Sequence, residues 1–367
     1  MKRVLFKIFG RTLFVIVLFF GLLLAFLTIT EYRPDDIETV SVDNNQSTSS
    51  VRKSERISLM TFNIGYAGLG REEDFVLDGG DKSRPDSKDI VEDYFSGITS
   101  IIDSHYADIY LFQEVDVQSR RSYYINQVES LKNHLGEQYG YNFAYNFNAV
   151  FVPFPVSFTE YLGPVESGLQ TFSRFNINES ERQQFPGSFS WPMRVANLKR
   201  AMVVNRMPVE DSDKEFVVVN IHMSAYDADG TLRNKEMTFL KAFLEDEASK
   251  GNYVVIGGDF NQTFPGAVGA FPAIQDEEYG AYYVAHAIED DYLPDNYQFV
   301  FDATNPTGRS LYSSYTDEYL SGTQYYVIDG FIVSNNIDIN LIETLDYDFL
   351  YSDHNPVRLE ITLIDES

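Results

Sequence analysis

Apolar and polar positions divide the chain into three stretches. The first is an uncharged apolar run, Thr12–Ile29 (TLFVIVLFFGLLLAFLTI), of the length that crosses a bilayer as one helix. Lys2, Arg3, Lys7 and Arg11 precede it; Glu31, Asp35 and Asp36 follow, with Arg33 the only nearby positive charge on that side. Positive flanks stay in the cytoplasm, so the pattern predicts a single-pass anchor at the cell membrane over residues 1–30, with everything beyond it extracytoplasmic. A cleaved signal peptide is the competing reading, although the run is long for one and no small-x-small site follows Ala25. A helix buried in a soluble core is the third. The second stretch, residues 31–55, is polar with few large apolar side chains, a composition that predicts a flexible linker.

From Ile57 onward short apolar runs alternate with polar clusters. Ile57–Asn63, Ile109–Phe112, Phe216–Ile221, Tyr253–Ile256 and Tyr326–Val333 are rich in Ile, Val, Tyr and Phe and read as buried strands. Helical periodicity appears from Ile90 to Ser104 and from Arg233 to Glu247, each just ahead of a strand. Nothing linker-like divides residues 56–367, so the pattern predicts one α/β (α+β) domain with packed sheets and more strands than helices.

Composition adds exclusions. A formal net charge of −27 repels polyanions at long range and disfavours a nucleic-acid partner, though a local cation can invert the field at a site. The chain has no cysteine, which excludes disulfides, thiolate metal sites and a cysteine nucleophile. No feature predicts a protein partner.

Chemistry concentrates at strand ends: Asn63 (LMTFNIG), Glu114 (IYLFQEVD), His222 (VVVNIHMSAYD), Asp259 and Asn261 (VVIGGDFNQT), and Asp353 with His354 (YSDHNPV), while Asp329 lies within YYVIDGFIVS. Taken singly, each has an ordinary explanation: a turn Asn, a solvated Glu, a Gly-Asp-Asn loop. His105, His134 and His286 lack carboxylate motifs and read as ordinary histidines. Together, carboxylates and amides without thiolates suit a hard cation, Mg²⁺ or Mn²⁺, and two histidines among carboxylates suit proton transfer near neutral pH. That combination is what hydrolysis of a phosphate ester needs. Arg84, Arg174 and Arg200 are candidate anion clamps.

The ordered set Asn63, Gln113-Glu114, Ser173-Arg174, His222, Gly258-Asp259-Phe260-Asn261, Asp329 and Ser352-Asp353-His354-Asn355-Pro356-Val357 resembles the endonuclease/exonuclease/phosphatase superfamily over about residues 57–363. Deoxyribonucleases, abasic-site endonucleases, inositol polyphosphate 5-phosphatases and bacterial sphingomyelinases belong to it. The resemblance implies a four-layer sandwich of two mostly antiparallel sheets flanked by helices. It also implies Glu114 as the main metal carboxylate, with Asn63 beside it and Asp353 close by. Asp259 and Asn261 would position water and phosphate, His354 oriented by Asp329 would act as base or acid, and His222 would donate to a phosphate oxygen or the leaving group. One departure is visible: many relatives read R-I-D-Y where this chain reads Val327-Ile328-Asp329-Gly330, which leaves the phosphate contacts around Asp329 open.

Three functions follow as expectations. The first is phosphodiester hydrolysis of a lipid headgroup or other small phosphoester at the outer membrane face, favoured by the anchor, the acidity and a sphingomyelinase-like TFSRFNI. Within it, the aromatic stretch Tyr141–Phe158 reads either as a lipid-facing rim or as core. The second is an extracellular deoxyribonuclease-like nuclease; the third is a catalytically idle binding module.

Overall fold

The computed structural model describes residues 2–45, 49–157, 159–225, 227, 229–272, 285–315 and 322–364. The described chain runs α1 (Lys2–Ile29), β1 (Ile37–Thr39), β2 (Arg56–Asn63), α2 (Lys88–Ser104), β3 (Ile109–Asp116), α3 (Gln127–Leu135), β4 (Gly140–Val152) and β5 (Gly163–Ser173). It continues through β6 (Glu179–Gln184), β7 (Ala201–Pro208), β8 (Glu215–His222), α4 (Thr231–Lys250), β9 (Tyr253–Asp259), β10 (Gln262–Thr263), β11 (His286–Ala287) and β12 (Tyr297–Val300). It closes with β13 (Gly308–Arg309), β14 (Tyr325–Tyr326), β15 (Asp329–Ser334), β16 (Ile337–Thr344) and β17 (Val357–Leu363).

Two large sheets hold most of these strands, in the orders β16-β17-β2-β3-β5-β4 and β1-β6-β7-β8-β9-β15-β12. Each is antiparallel except for one central parallel pair, β2/β3 in the first and β8/β9 in the second. Parallel neighbours need a crossover, and α2 and α4 supply them. Alternation along the strands sorts side chains to two faces. Leu59, Leu111, Val218, Val255 and Phe331 meet between the sheets, whereas Phe62, Tyr110 and Phe112 pack on Ile98 and Ile101 of α2, and Val219 and Ile256 on Leu240 and Leu244 of α4. The result is helix, sheet, sheet, helix: the four-layer α/β sandwich that the family resemblance implies. A hydrogen-bonded strut crosses its middle, Gln113 Nε2 donating to Asn220 Oδ1 at 2.8 Å.

Three expectations change. Residues 31–55 are not a free tether where they are described: β1 pairs with β6 as an edge strand, Asp43 bridges to Tyr141, and Val51 is fully buried in the inter-sheet core. Polar composition hid this because edge strands need only backbone pairing and one anchoring apolar side chain. The predicted strand Tyr326–Val333 is broken, so that Asp329 opens β15 instead of lying inside a strand. Asp353 and His354 precede β17 and do not follow a strand; because β17 runs antiparallel to β2, they still lie at the edge where β2 ends.

α1 is a continuous helix, long and apolar enough to span a membrane, and almost wholly exposed apart from Leu27 near its end.

Candidate active site

The two parallel pairs end side by side, and their last residues face one another across the seam between the sheets. Asn63 ends β2 and aligns with Gln113 of β3; His222 ends β8 and aligns with Asp259 of β9, which in turn aligns with Asp329 of β15. A cavity of about 310 Å³ opens over this edge, and Glu114, His222, Asp259, Asn261, Asp353 and His354 line it.

Hydrogen bonds lock the set. The Asn63 amide nitrogen reaches Asp259 Oδ2 at 3.0 Å and Glu114 Oε1 at 3.5 Å, and lies 3.4 Å from His354 Nε2. His354 Nδ1 sits 2.8 Å from Asp329 Oδ2, and Thr307 Oγ1 accepts the backbone N–H of Asp329, fixing that carboxylate. His222 Nε2 lies 3.4 Å from Asp259 Oδ2. Asp259 accepts from the Asn261 backbone N–H at 2.8 Å and from its side-chain amide at 3.2 Å. Asn261 takes a left-handed φ of 52° to do so, a conformation Asn tolerates, and donates also to the Met223 carbonyl. Glu114 has φ 54° where the β3/β5 register shifts, an irregularity that turns its carboxylate to the cavity.

Electrostatics separate the two histidines. Burial, Arg200, His354 and Arg121 hold the His222 imidazole well below its ordinary range, so it is neutral. Burial opposes the His354 imidazolium, but Asp329, Asp353 and Asp259 outweigh it and hold His354 well above that range. Burial and the neighbouring Asp329 push Asp259 up to about 6. Burial, with Glu114 adding to it, pushes Asp353 up to about 7. One ligand atom each from Asp259, Asp329 and His354 lie within 4.8 Å of one another, an arrangement that could hold a metal ion, although the Asp329–His354 hydrogen bond already uses two of those atoms.

The residues fit a hard divalent cation at a neighbouring point. Glu114 and Asp353 face the same cavity, and their mutual repulsion contributes to the protonation of Asp353. A cation bound by them would relieve that repulsion, and all-oxygen donors suit Mg²⁺ or Mn²⁺. Asn63 stands beside Glu114. Its amide nitrogen points at the carboxylates and its oxygen accepts the Gly65 N–H at 3.1 Å, so it braces the carboxylates as a donor.

Two predicted phosphate clamps lie elsewhere. Arg174 is at the opposite edge of its sheet, donating to the Tyr106 hydroxyl and pairing with Asp108 at 3.5 Å. Arg84 does not line the cavity; its guanidinium stacks 4.5 Å above the Tyr123 ring. Of the basic residues considered, Arg200 lines the cavity beside His222.

Sequence reading missed Arg121. Buried, it donates to both Asp116 oxygens at 2.9 and 3.2 Å, stands 3.5 Å from Glu114 Oε2 and lies 3.8 Å over the Tyr66 ring. The doubled Arg120-Arg121 after EVD was the available signal. Gly65 was missed too: its φ is 49°, and a Cβ there would stand 2.7 Å from Asp353 Oδ1.

A fold with paired central crossovers and a His–Asp dyad beside clustered carboxylates defines a class, the phosphoester hydrolases of the four-layer sandwich. The family model for the endonuclease/exonuclease/phosphatase family matches residues 60–354, and the chain belongs to that family, whose members are hydrolases acting on phosphoester bonds. No curated protein matches the chain. Solved structures share its fold. An endonuclease/exonuclease/phosphatase from Beutenbergia cavernae is 16% identical with a TM-score of 0.53, covering 84% of this chain and 72% of that one. A Bacteroides vulgatus family member is 14% identical with a TM-score of 0.51, covering 84% and 100%. D. rerio TDP2 complexed with single-strand DNA product is 14% identical with a TM-score of 0.50, also covering 84% and 100%.

Proposed function

We propose that this chain hydrolyses a phosphodiester, a lipid headgroup or other small phosphoester, at the outer face of the cell membrane. In this reading α1 is a single-pass anchor with a cytoplasmic N-terminus. The supporting observation is the seam itself: an acid–base dyad, two carboxylates for a cation and a neutral histidine converge on one cavity. Glu114 and Asp353 would hold Mg²⁺ or Mn²⁺, which would polarise the phosphoryl oxygen and neutralise charge developing on it.

The protein groups divide the remaining work. Asp259, raised toward neutral pH and oriented by Asn261 and Asn63, takes the proton of the attacking water. His354, kept cationic by Asp329, donates from Nε2 to a nonbridging phosphoryl oxygen, and neutral His222 donates to a second. Arg200 adds positive charge on the His222 side. Water attacks phosphorus, the bond to the ester oxygen breaks, the alcohol leaves with a solvent proton, and a phosphomonoester remains. No covalent intermediate is required.

A nuclease is the second reading, favoured by the likeness in fold to the DNA-bound TDP2 and opposed by the charge of −27. One panel tests both: full chain, Mg²⁺ or Mn²⁺, and sphingomyelin, lysophospholipid, plasmid DNA and bis(p-nitrophenyl) phosphate as substrates. Lipid or small-ester turnover supports the first reading. DNA cleavage alone replaces it with the second, and inactivity toward everything leaves an idle binding module.

A further inference from the structure

The C-terminal end of α1 is not separate from the catalytic body. In its last turn Thr28 Oγ1 accepts a hydrogen bond from Trp191 Nε1 at 3.1 Å. Just beyond, the side chain of Glu31 is buried at 3% exposure among cations, with Lys199 Nζ at 3.0 Å and Arg194 Nε at 3.5 Å. Trp191, Arg194 and Lys199, which meet the end of the anchor, lie on one segment, residues 187–200, while Arg33 closes the Glu31 cluster from its own stretch.

That same segment is a wall of the cavity. Phe189, Met193, Leu198 and Arg200 line it together with His222 and Asp259. The segment is also unusually apolar on its outside: Trp191 is 54% and Met193 64% exposed. The β4–β5 turn, whose Leu162 lines the same cavity, exposes Phe154 and leaves Val156 92% exposed. Isolated exposed apolar residues need no explanation. These are set apart by the hydrogen bond that ties one of them to the apolar helix.

Depth follows from the helix. Thr12–Ile29 spans roughly 27 Å at about 1.5 Å per residue, close to the hydrocarbon thickness of a bilayer. Thr28 is thus at the outer boundary of that layer, and an indole hydrogen-bonded to it lies at headgroup level, where tryptophan is favoured.

We infer that residues 187–198, with Trp191 foremost, dock on the outer leaflet of the bilayer that α1 enters, so that the catalytic cavity opens at the lipid surface. The inference rests on the reading of α1 as a membrane span, and it sharpens the substrate class to a phosphoester resident in the same bilayer. The headgroup enters between Met193 and His222 while the chains stay in the leaflet. The contact needs no separate recognition domain, because the anchor holds the wall at the surface permanently.

Trp191 is the only tryptophan of the chain, so intrinsic emission reports this residue alone. The full chain is reconstituted in phosphatidylcholine vesicles, with or without brominated phosphatidylcholine. Trp191 emission shifts to the blue, falls about twofold or more with bromolipid and resists external iodide. A Trp191→Phe, Tyr106→Trp double variant places the indole at the opposite edge of the fold, where iodide quenches it and bromolipid does not. Phospholipid in the protein's own vesicles is hydrolysed faster than phospholipid in separate vesicles added to them. Protein that floats with vesicles while Trp191 stays open to iodide and blind to bromolipid overturns the inference. Protein that does not float overturns the span and, with it, this inference. Vesicle-bound protein with quenched Trp191 and no ester hydrolysis leaves the docking standing and removes the catalytic reading.

Discussion

Replacing Asp329 by asparagine separates charge from shape in the dyad. The amide oxygen can still accept the His354 Nδ1 proton at the present 2.8 Å separation, so geometry and packing persist. The negative charge goes, and with it the strongest of the influences holding His354 above its ordinary range; Asp353 and Asp259 remain. A buried hydrogen bond to a charged partner contributes about 1.5–3 kcal/mol. If the imidazolium donates in the transition state, the loss corresponds to roughly 10- to 150-fold in kcat/KM at neutral pH. The sign of the pH effect is fixed. Activity needs protonated His354, the variant releases that proton at lower pH, and so the alkaline limb of the profile moves down. The assay is kcat/KM against pH for bis(p-nitrophenyl) phosphate with saturating Mg²⁺, beside a thermal melt of both proteins. A variant that melts like wild type, stays within about threefold in rate and keeps its alkaline limb would refute the dyad's role.

Other outcomes follow from the same geometry. Asp353 is raised from 3.8 to about 7, so the metal-free chain is at its most stable below about pH 4 with respect to this group and loses about 4 kcal/mol of that contribution as pH rises through 7. Added Mg²⁺ should therefore raise the melting temperature more at pH 8 than at pH 5, and an equal increment at both would contradict Asp353 as a ligand. Arg121→Ala strands the fully buried Asp116 and should cost about 3–5 kcal/mol in a denaturant melt. Gly258→Ala would set a Cβ 2.1 Å from the Ile221 carbonyl oxygen at φ 150°, and soluble expression should fall sharply; normal yield and melting would show that the strand can yield there. Val51→Asp should destabilise the catalytic domain by at least about 2 kcal/mol, whereas a mere tether would tolerate it unchanged.

Much of this architecture was legible because several reactive residues stand at or near the end of an apolar run. Asn63, His222 and Asp259 announced themselves by ending strands whose β-branched and aromatic content left little ambiguity, and Glu114 by following the apolar run Ile109–Phe112. Gly-Asp-Phe-Asn and Ser-Asp-His-Asn-Pro-Val supplied an order that chance turns do not. What escaped were features created by three-dimensional proximity alone. Arg121 reads as one of two surface arginines until Asp116 and Tyr66 enclose it. Arg84 and Arg174 looked like anion clamps because sequence distance cannot say which edge of a sheet an arginine occupies. Residues 31–55 looked solvated because an edge strand borrows its stability from a neighbour's backbone, which composition does not record. The aromatic stretch Tyr141–Phe158 turned out to be divided: Tyr141 and Phe147 are core, Phe154 is exposed, and Phe158 lies outside the described residues.

The strut between Gln113 and Asn220 has a consequence for how this protein fails under stress. The reactive groups are shared between two slabs: Asn63, Glu114 and His354 ride on one, His222, Asp259 and Asp329 on the other. The Asn63–Asp259 and His354–Asp329 bonds, like the strut beneath them, span the gap. A small shear of one slab over the other would leave each sheet's own ladder intact while pulling the two half-sites out of alignment. Turnover should therefore vanish on warming before the far-ultraviolet signal of the strands changes, making catalysis a more sensitive gauge of slab alignment than any probe of secondary structure.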